Sequence, residues 1–466
     1  DNFTGLKFQS YINWGIVDYD KEVESYKASV PGTLYNRFNQ LPWDKLCAYN
    51  DMDAMLTRRL EYLQKRQLRA PGLNKANKFL QDGMVELTRM THRGIPINTK
   101  YYEEKYDELE NGTVEKNEYD GINVLKEKIE KSPEALQFKG ATGKEFDMNS
   151  TSDLRKLFFD VMKLPIIKTT APSNTFKEGQ IAVDADVLER LDTPIAKQIV
   201  QTRKLKKIQD YAGQMIKLAC NGLIHPDFGL HLAKTYRGNS ANPNWHNLPK
   251  RDKFANKIIR SGVIAPEGQQ ILTADFGAME VRGFAWYSKD PTLVRELTNH
   301  MDPHAEWADF LGLIKENPKE GRFDAKNGFV FPLIYGSYYK NITRELKARG
   351  YKKINEELVK VAENKFWAKY HYARAWQEKL IADYYQNGYV ETYLGFRRRG
   401  VLSRNQIVNY PIQSTCFHML VWSFVRLAQI REEEGWEAKQ DAQIHDENFF
   451  LLPPEEEELL FRLFSF

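Results

Sequence analysis

Leu272-Thr273-Ala274-Asp275-Phe276-Gly277-Ala278-Met279-Glu280-Val281-Arg282 opens as a buried strand, sets a carboxylate at the strand end and turns into a helix. Far downstream, Ala442-Gln443-Ile444-His445-Asp446-Glu447-Asn448-Phe449-Phe450 flanks His-Asp-Glu with apolar residues on both sides. That pattern predicts a hairpin with the acids at its turn. Between them, Arg322-Phe323-Asp324-Ala325-Lys326 runs into Leu333-Ile334-Tyr335-Gly336, with Arg322 and Lys326 one helical turn apart. Two-metal phosphoryl transfer needs at least two carboxylates, holding divalent ions ~3.5–4 Å apart. Hard cations take oxygen ligands, so Asp, Glu and backbone carbonyls are suitable types. Asp275 and Asp446 supply them if their strands pair side by side, and the basic helix face supplies charge for phosphates. Alone, an Asp at a strand end is more often a cap than a ligand. Here both acids sit inside longer strings.

Bulk composition fits this reading. The 466 residues allow roughly two to four domains, and 42% apolar with 28% charged residues is ordinary for a globular chain. Net charge is only +4, yet basic residues cluster at Arg203-Lys204-Leu205-Lys206-Lys207, Lys250-Arg251-Asp252-Lys253 and Arg397-Arg398-Arg399. Clusters on a near-neutral background fit a groove that follows a polyanion; solvated helix faces are the plain alternative. Cys47, Cys220 and Cys416 lie far apart with no CxxC pair, against a zinc site or disulfide scaffold and in keeping with a reducing cytoplasm. No apolar run reaches the ~18 residues of a membrane span, and the first residues are no signal peptide.

Outward from the acidic stretches, residues 1–66 are mixed and end in a helix from Trp43 to Leu63. Pro71-Gly72 marks a turn. Residues 73–222 read as mostly helical, with hydroxyl caps before Leu154 and a long basic helix from Pro194 to Leu218. From Gly222 short strands and loops take over, including a long Asn/Gly/Pro-rich loop of the functional kind from His225 to Pro249. Residues 291–390 return to helices, then come a Gly-centred hairpin at Thr392–Leu402 and a helix from about Ser403 to Glu433.

The blocks together resemble the family A (Pol I-like) DNA polymerases. Asp275 through Arg282 is similar to their motif A, Arg322 through Gly336 to motif B and His445-Asp446-Glu447 to motif C. Thr235-Tyr236-Arg237, Pro243 through Pro249, Gly388 through Thr392 with Gly395 through Arg398, and Asn409-Tyr410-Pro411-Ile412-Gln413 also match, in family order. The resemblance implies an α+β right-hand fold: an antiparallel palm sheet with helical fingers and thumb. It divides the chain into an exonuclease-domain remnant (1–66), thumb (67–222), palm (223–290), fingers (291–404) and the second part of the palm (405–466). It implies a DNA polymerase that adds dNTPs to a primer 3′ end with two Mg²⁺ ions, for which Mn²⁺ substitutes.

The resemblance also implies roles. Asp275, Asp446 and the Phe276 carbonyl would hold metal; Glu447 would be an accessory acid or third ligand, and Lys326 the fourth catalytic group. His304, Arg322 and Lys326 would meet the triphosphate, Glu280 would crowd a ribose 2′-hydroxyl and Tyr335 would police the base pair. Arg237, Asn247, Arg282, Arg398, Asn409, Gln413 and His445 would contact primer–template DNA; Arg237, Asn409, Gln413 and His445 would read its minor groove, where acceptors are shared by all correct pairs. Partners would be primer–template and dNTPs, with no membrane, a monomeric state and the cytoplasm of a bacterial or phage-infected cell. Plainer readings stand beside these: His304 as a helix N-terminal residue, Tyr335 as core, Gln413 as a backbone partner and the arginine triplet as a solvated turn.

Three departures matter. Lys326 to Tyr335 is one residue longer than the family spacing and contains Pro332, which removes a helical hydrogen bond. A single π-type turn would absorb the extra residue. Counting back from Tyr335 makes Phe331 the aromatic that stacks on the nucleotide, with Phe329 in reserve; counting forward from Lys326 gives Val330, which cannot stack. Tyr49 and Asp53 resemble the third motif of the 3′–5′ exonuclease domain, but the other metal-binding acids are missing from the sequence, so no proofreading is expected. After motif C, Pro453 to Phe466 reads as a short acidic helix where the family continues further. The rival readings are a single-subunit RNA polymerase, which Glu280 disfavours, a catalytically silent polymerase-derived DNA-binding protein, which the retained acids disfavour, and an N-terminal nuclease.

Overall fold

The structure is a computed structural model. It describes every residue except 1–4, 29, 31–35, 70–71, 113–119, 171–175, 250–251, 314–317, 445–446 and 465–466. His445 and Asp446 of the motif C hairpin, Lys250 and Arg251 of the second basic cluster and Pro71 of the expected turn therefore lie outside the described residues. The chain divides into two compact units, residues 82–287 with 416–466 and residues 1–81 with 288–415.

In the first of these, three strands form an antiparallel sheet. They are β1 (Gln270–Asp275), β2 (Lys439–Ile444) and β3 (Glu447–Leu452), in the order β1-β3-β2. β3 is buried throughout because both neighbours and the core cover it. β1 departs from the expected buried strand: Ile271, Thr273 and Asp275 are exposed and the residues between are half-buried. It occupies a sheet edge, where one face meets solvent. Beneath the sheet Phe450, Leu452, Ala438 and Leu460 pack with Leu272, Ala274, Leu427 and Trp436. At the β2 irregularity between Gln440 and Ala442, Arg93 Nε donates to the buried Asp441 carboxylate at 2.7 Å. Burial raises the Asp441 pKa more than Arg93 lowers it.

The helical part of this unit follows the sequence reading closely. Thr193 caps the helix Pro194–Leu218 through its side chain, with Pro at the first turn. Ser150 caps the helix Thr151–Arg155, as the hydroxyl run predicted. The charged segment from Tyr101 to Lys131 forms the helices Thr99–Asn111 and Ile122–Glu130, which bury Tyr102, Leu109, Ile122, Leu125 and Ile129. The first basic cluster is largely spent within the protein. Arg203 donates to the Met148 carbonyl at 2.9 Å, Lys204 pairs with Asp252 at 2.6 Å and Lys206 bonds Gln209 at 2.8 Å.

In the other unit, Asp290 is a junction. Its buried carboxylate accepts from the Thr292 and Leu293 amides, capping the helix Pro291–Thr298, and from the Tyr372 and Ala373 amides at the start of the helix His371–Asn387. One carboxylate thus satisfies orphan donors of two helices. A hairpin around Gly395 forms, but its strands are Tyr389–Glu391 and Arg397–Arg399, so the first lies ahead of the expected start at Thr392. Arg397 and Arg399 lie over the Tyr389 ring, at 4.4 and 5.1 Å, and Arg397 pairs with Glu391. The N-terminal helices Leu6–Trp14 and Lys21–Lys27 occupy a stretch without a clear period, and Trp43–Gln67 extends past the expected Leu63.

Candidate active site

The motif A and motif C stretches come together in one sheet. Antiparallel pairing runs from Gln270 opposite Leu452 to Asp275 opposite Glu447, with no slip. Facing residues in such a pair have Cα atoms ~4.5–5.5 Å apart and side chains on the same face. Ile444 pairs with Glu447, so the two strands of the expected hairpin form, while His445 and Asp446 lie outside the described residues. The turn after Asp275 uses Ala278 in the left-handed region at φ 53°, and the helix Met279–Ser288 follows.

A carboxylate is the oxygen donor type that a hard divalent cation takes. Asp275 offers an exposed carboxylate at the strand end, in register with the residue after Asp446. Glu447 is buried, and Arg260 Nη1 stands 3.5 Å from its carboxylate. Among the described residues no group of three or more His, Cys, Asp or Glu side chains converges. Asp53 accepts the Tyr19 hydroxyl at 2.5 Å.

Around this sheet, Arg237 lies in the loop between Asp227–Gly229 and Asn239–Ala241 and ion-pairs with Glu280. The two residues assigned to minor groove and ribose therefore hold each other. Asn247 ends a short turn capped by Asn244, and its carbonyl accepts the Tyr211 hydroxyl at 2.8 Å. Arg282 is exposed and donates to the Gly277 carbonyl at 3.0 Å.

In the second unit, motif B is where sequence and structure meet most closely. The helix Pro318–Ala325 is followed by a π turn, Lys326–Val330, and then by Phe331–Ile334. The extra residue is absorbed as a π-type turn, as the spacing predicted. Gly328 is needed there: a Cβ on it would lie 2.6 Å from the Leu346 side chain. Gly336 closes the segment at φ +84°, a conformation that favours glycine. The register also separates the two phenylalanines. Phe329 is fully buried, with its ring 5.3 Å from Trp307 and 5.9 Å from Phe366. Phe331 is half-buried, 5.8 Å from His304 and 5.9 Å from Tyr335, with Lys326 Nζ 5.1 Å from its ring. Thus Lys326, Phe331, His304 and Tyr335 form one group and Phe329 belongs to the core.

His304 is in the first turn of Pro303–Phe310, capped by Asp302, so the plainer reading of its position holds as well. It is 2% exposed, and its Nδ1 has no hydrogen-bond partner among the described residues. Burial pushes its pKa down to about 4, against the pull of Asp302 and with the push of Arg322 and Lys326. Asp302 also pairs with Arg322; burial opposes its charge, but Arg322 and the His304 amide outweigh burial and hold its pKa low. Asn409 and Gln413 are half-buried in the helix Arg404–Glu434, which runs through Pro411, and the Asn409 Oδ1 is without a partner among the described residues. Arg398 lies 5.6 Å from the Tyr410 ring.

Four supporting residues carried no assigned role in the sequence. Gln377 is fully buried and donates to the Leu333 and Ile334 carbonyls at 3.0 and 2.7 Å, at the helix end beside Pro332. Asp324 is buried on motif B and accepts from Arg349 at 3.1 Å and Tyr351 at 2.7 Å. Arg260 and Asp302 hold Glu447 and Arg322. The only local signals were a charge directly after Ile258-Ile259, an acid between two basic residues and an Asp before a Pro.

The antiparallel sheet, with Asp275 at a strand end, and the surrounding helices make this an α+β fold of the polymerase kind. The family model for DNA polymerase family A matches residues 120–465, and the chain belongs to that family. It is 30% identical over 339 residues to the thermostable DNA polymerase I of Thermus aquaticus, covering 69% of this chain and 39% of that protein. It is 27% identical over 445 residues to DNA polymerase I of Chloroflexus aurantiacus, covering 91% of this chain and 44% of that one. The chain therefore spans less than half the length of these relatives. A similar solved structure is the POL domain of Pol1 from M. smegmatis in complex with DNA primer-template and dNTP. It shares the fold with TM-score 0.67 at 21% identity, over 96% of this chain and 75% of that one.

Proposed function

We propose that this chain extends a DNA primer on a template. The primer 3′-hydroxyl oxygen bonds to the α-phosphorus of a dNTP, the α–β bridging P–O bond breaks, and pyrophosphate leaves. The observation that carries the reading is the unslipped pairing that sets Asp275 against the residue next to Asp446. Asp275, Asp446 and the Phe276 carbonyl are the proposed metal donors. Two Mg²⁺ ions bound there would acidify the attacking hydroxyl and neutralise the leaving group. Arg322 and Lys326 supply cationic donors for the triphosphate, and Phe331 a face for the base. A buried, neutral His304 would hydrogen-bond phosphate without adding charge. The Arg237–Glu280 pair keeps Glu280 in place to crowd a 2′-hydroxyl.

Within this reading residues 67–222 act as thumb, 223–290 and 405–466 as palm, and 291–404 as fingers. The setting we propose is the cytoplasm of a bacterial or phage-infected cell, with the chain acting as a monomer. Among the described residues no helix is long and apolar enough to cross a membrane. The test is primer extension with Mg²⁺ and each nucleotide set. Asp446→Asn should abolish most dNTP incorporation and leave primer–template binding nearly unchanged. Near-normal extension by that variant defeats the proposal.

A further inference from the structure

Away from the acids, the helices Leu6–Trp14 and Trp43–Gln67 enclose an open cleft of about 460 Å³, lined by Trp14, Arg58, Arg59, Tyr62, Leu63 and Arg66. The lining holds three guanidinium groups and two large aromatics, and no acid. Arg59 lies over the Trp14 ring, 5.1 Å from its centroid. Tyr62 is 68% exposed, although a tyrosine of this size normally covers its ring. Glu61, next to the lining, pairs with the lining Arg58 at 2.5 Å and with Lys65 at 2.6 Å, which leaves Arg59 and Arg66 as the lining guanidinium groups without an acid pairing of this kind among the described residues.

Basic residues near a helix C-terminus answer its dipole, and that alone explains one or two arginines. It does not explain the exposed Tyr62 ring set between Arg58, Arg59 and Arg66. Helical geometry also separates this face from the exonuclease-like motif. At about 100° per residue, Tyr62 falls on the side of its helix opposite Asp53. Asp53 is engaged instead by Tyr19.

We propose that this cleft binds single-stranded DNA, with bases stacking on Trp14 and Tyr62 and phosphates meeting Arg58, Arg59 and Arg66. Planar bases alternating with anionic phosphates match the alternation of aromatic rings and guanidinium groups, and such contacts do not depend on sequence. An acidic protein segment would satisfy the arginines but leave the exposed Tyr62 ring without a planar partner.

The test is photocrosslinking of the whole chain to an oligo(dT) carrying 5-iodouracil, in EDTA and without nucleotide, followed by peptide mapping. Catalysis is not required, so the outcome is separable from the polymerase reading. Attachment at Trp14 or Tyr62 is expected. Tyr62→Ala should weaken that attachment roughly fivefold to a hundredfold. The double variant Arg59→Ala/Arg66→Ala should lower the salt slope of oligo(dT) binding by about 1.4, at ~0.7 per lost phosphate contact. Arg66→Ala alone, at an exposed position that leaves the Arg59–Trp14 contact intact, should lower it by about 0.7. Crosslinks confined to other segments, or slopes unchanged in folded variants, overturn the proposal. Binding of an acidic peptide in place of DNA does so too.

Discussion

Phe329 and Phe331 lie two positions apart in motif B, and the π turn gives them opposite duties. Phe329→Ala removes a fully buried ring held between Trp307 and Phe366. Truncating a core phenylalanine costs about 3–5 kcal/mol. In a unit of this size each kcal/mol moves the midpoint by about 2–4 °C, so a loss of roughly 10 °C is expected. Phe331→Ala removes a half-buried ring beside His304 and Tyr335, at a stability cost of about 1 kcal/mol. Its loss should appear instead in nucleotide use, because a base that stacks on an aromatic gains about 1–3 kcal/mol. That lowers kcat/KM for dNTP roughly fivefold to a hundredfold. Thermal unfolding and single-nucleotide insertion kinetics on both variants make the comparison. If Phe329→Ala stays as stable as the parent while losing nucleotide affinity, and Phe331→Ala inserts normally, the register argument is wrong.

Three further outcomes are expected. Glu280→Ala should relax sugar selection, raising ribonucleotide against deoxyribonucleotide insertion by about tenfold to a hundredfold, with gel-based misincorporation as the measurement. An unchanged ratio would point to another residue guarding the 2′ position. His304 has a folded pKa of about 4, below its unfolded value near 6.5, so its contribution is full above about pH 6.5 and is lost as pH falls towards 4. The loss approaches ~3 kcal/mol, and urea midpoints for His304→Gln should show a correspondingly flatter acid limb. Asp324→Ala removes the buried carboxylate that accepts from Arg349 and Tyr351 while Arg349 keeps its pairing with Glu345, and should cost about 1–3 kcal/mol in unfolding free energy. A variant as stable as the parent would show that the network contributes nothing to the helix.

Much of the local structure was legible because short-range rules govern it. The Ser150 cap, the antiparallel strands ending at Ile444 and beginning at Glu447 and the long helix from Pro194 follow from hydroxyl placement, alternation and period. The π turn was legible for a different reason: an extra residue between Lys326 and Tyr335 has to be accommodated without displacing either end. Residues 6–27 were not legible as helices, because their apolar residues keep no clear spacing and tertiary contacts decide them. The burial of β1 was misjudged for a related reason. An apolar strand at a sheet edge and one at its centre look alike until the neighbours are known.

The sequence by itself determined the acids, their order, the basic helix face and the family to which they belong, since those are properties of strings and spacings. Only the tertiary structure decided that Asp275 faces Glu447 without a slip, that Phe329 is core while Phe331 stands with Lys326, and that Glu280 is held by Arg237. Those facts depend on strand register, on helical phase after a π turn and on pairing between distant segments. A one-residue slip would turn a strand's side chains to the opposite face, and the burial that forbids it is supplied by neighbours far away in the sequence.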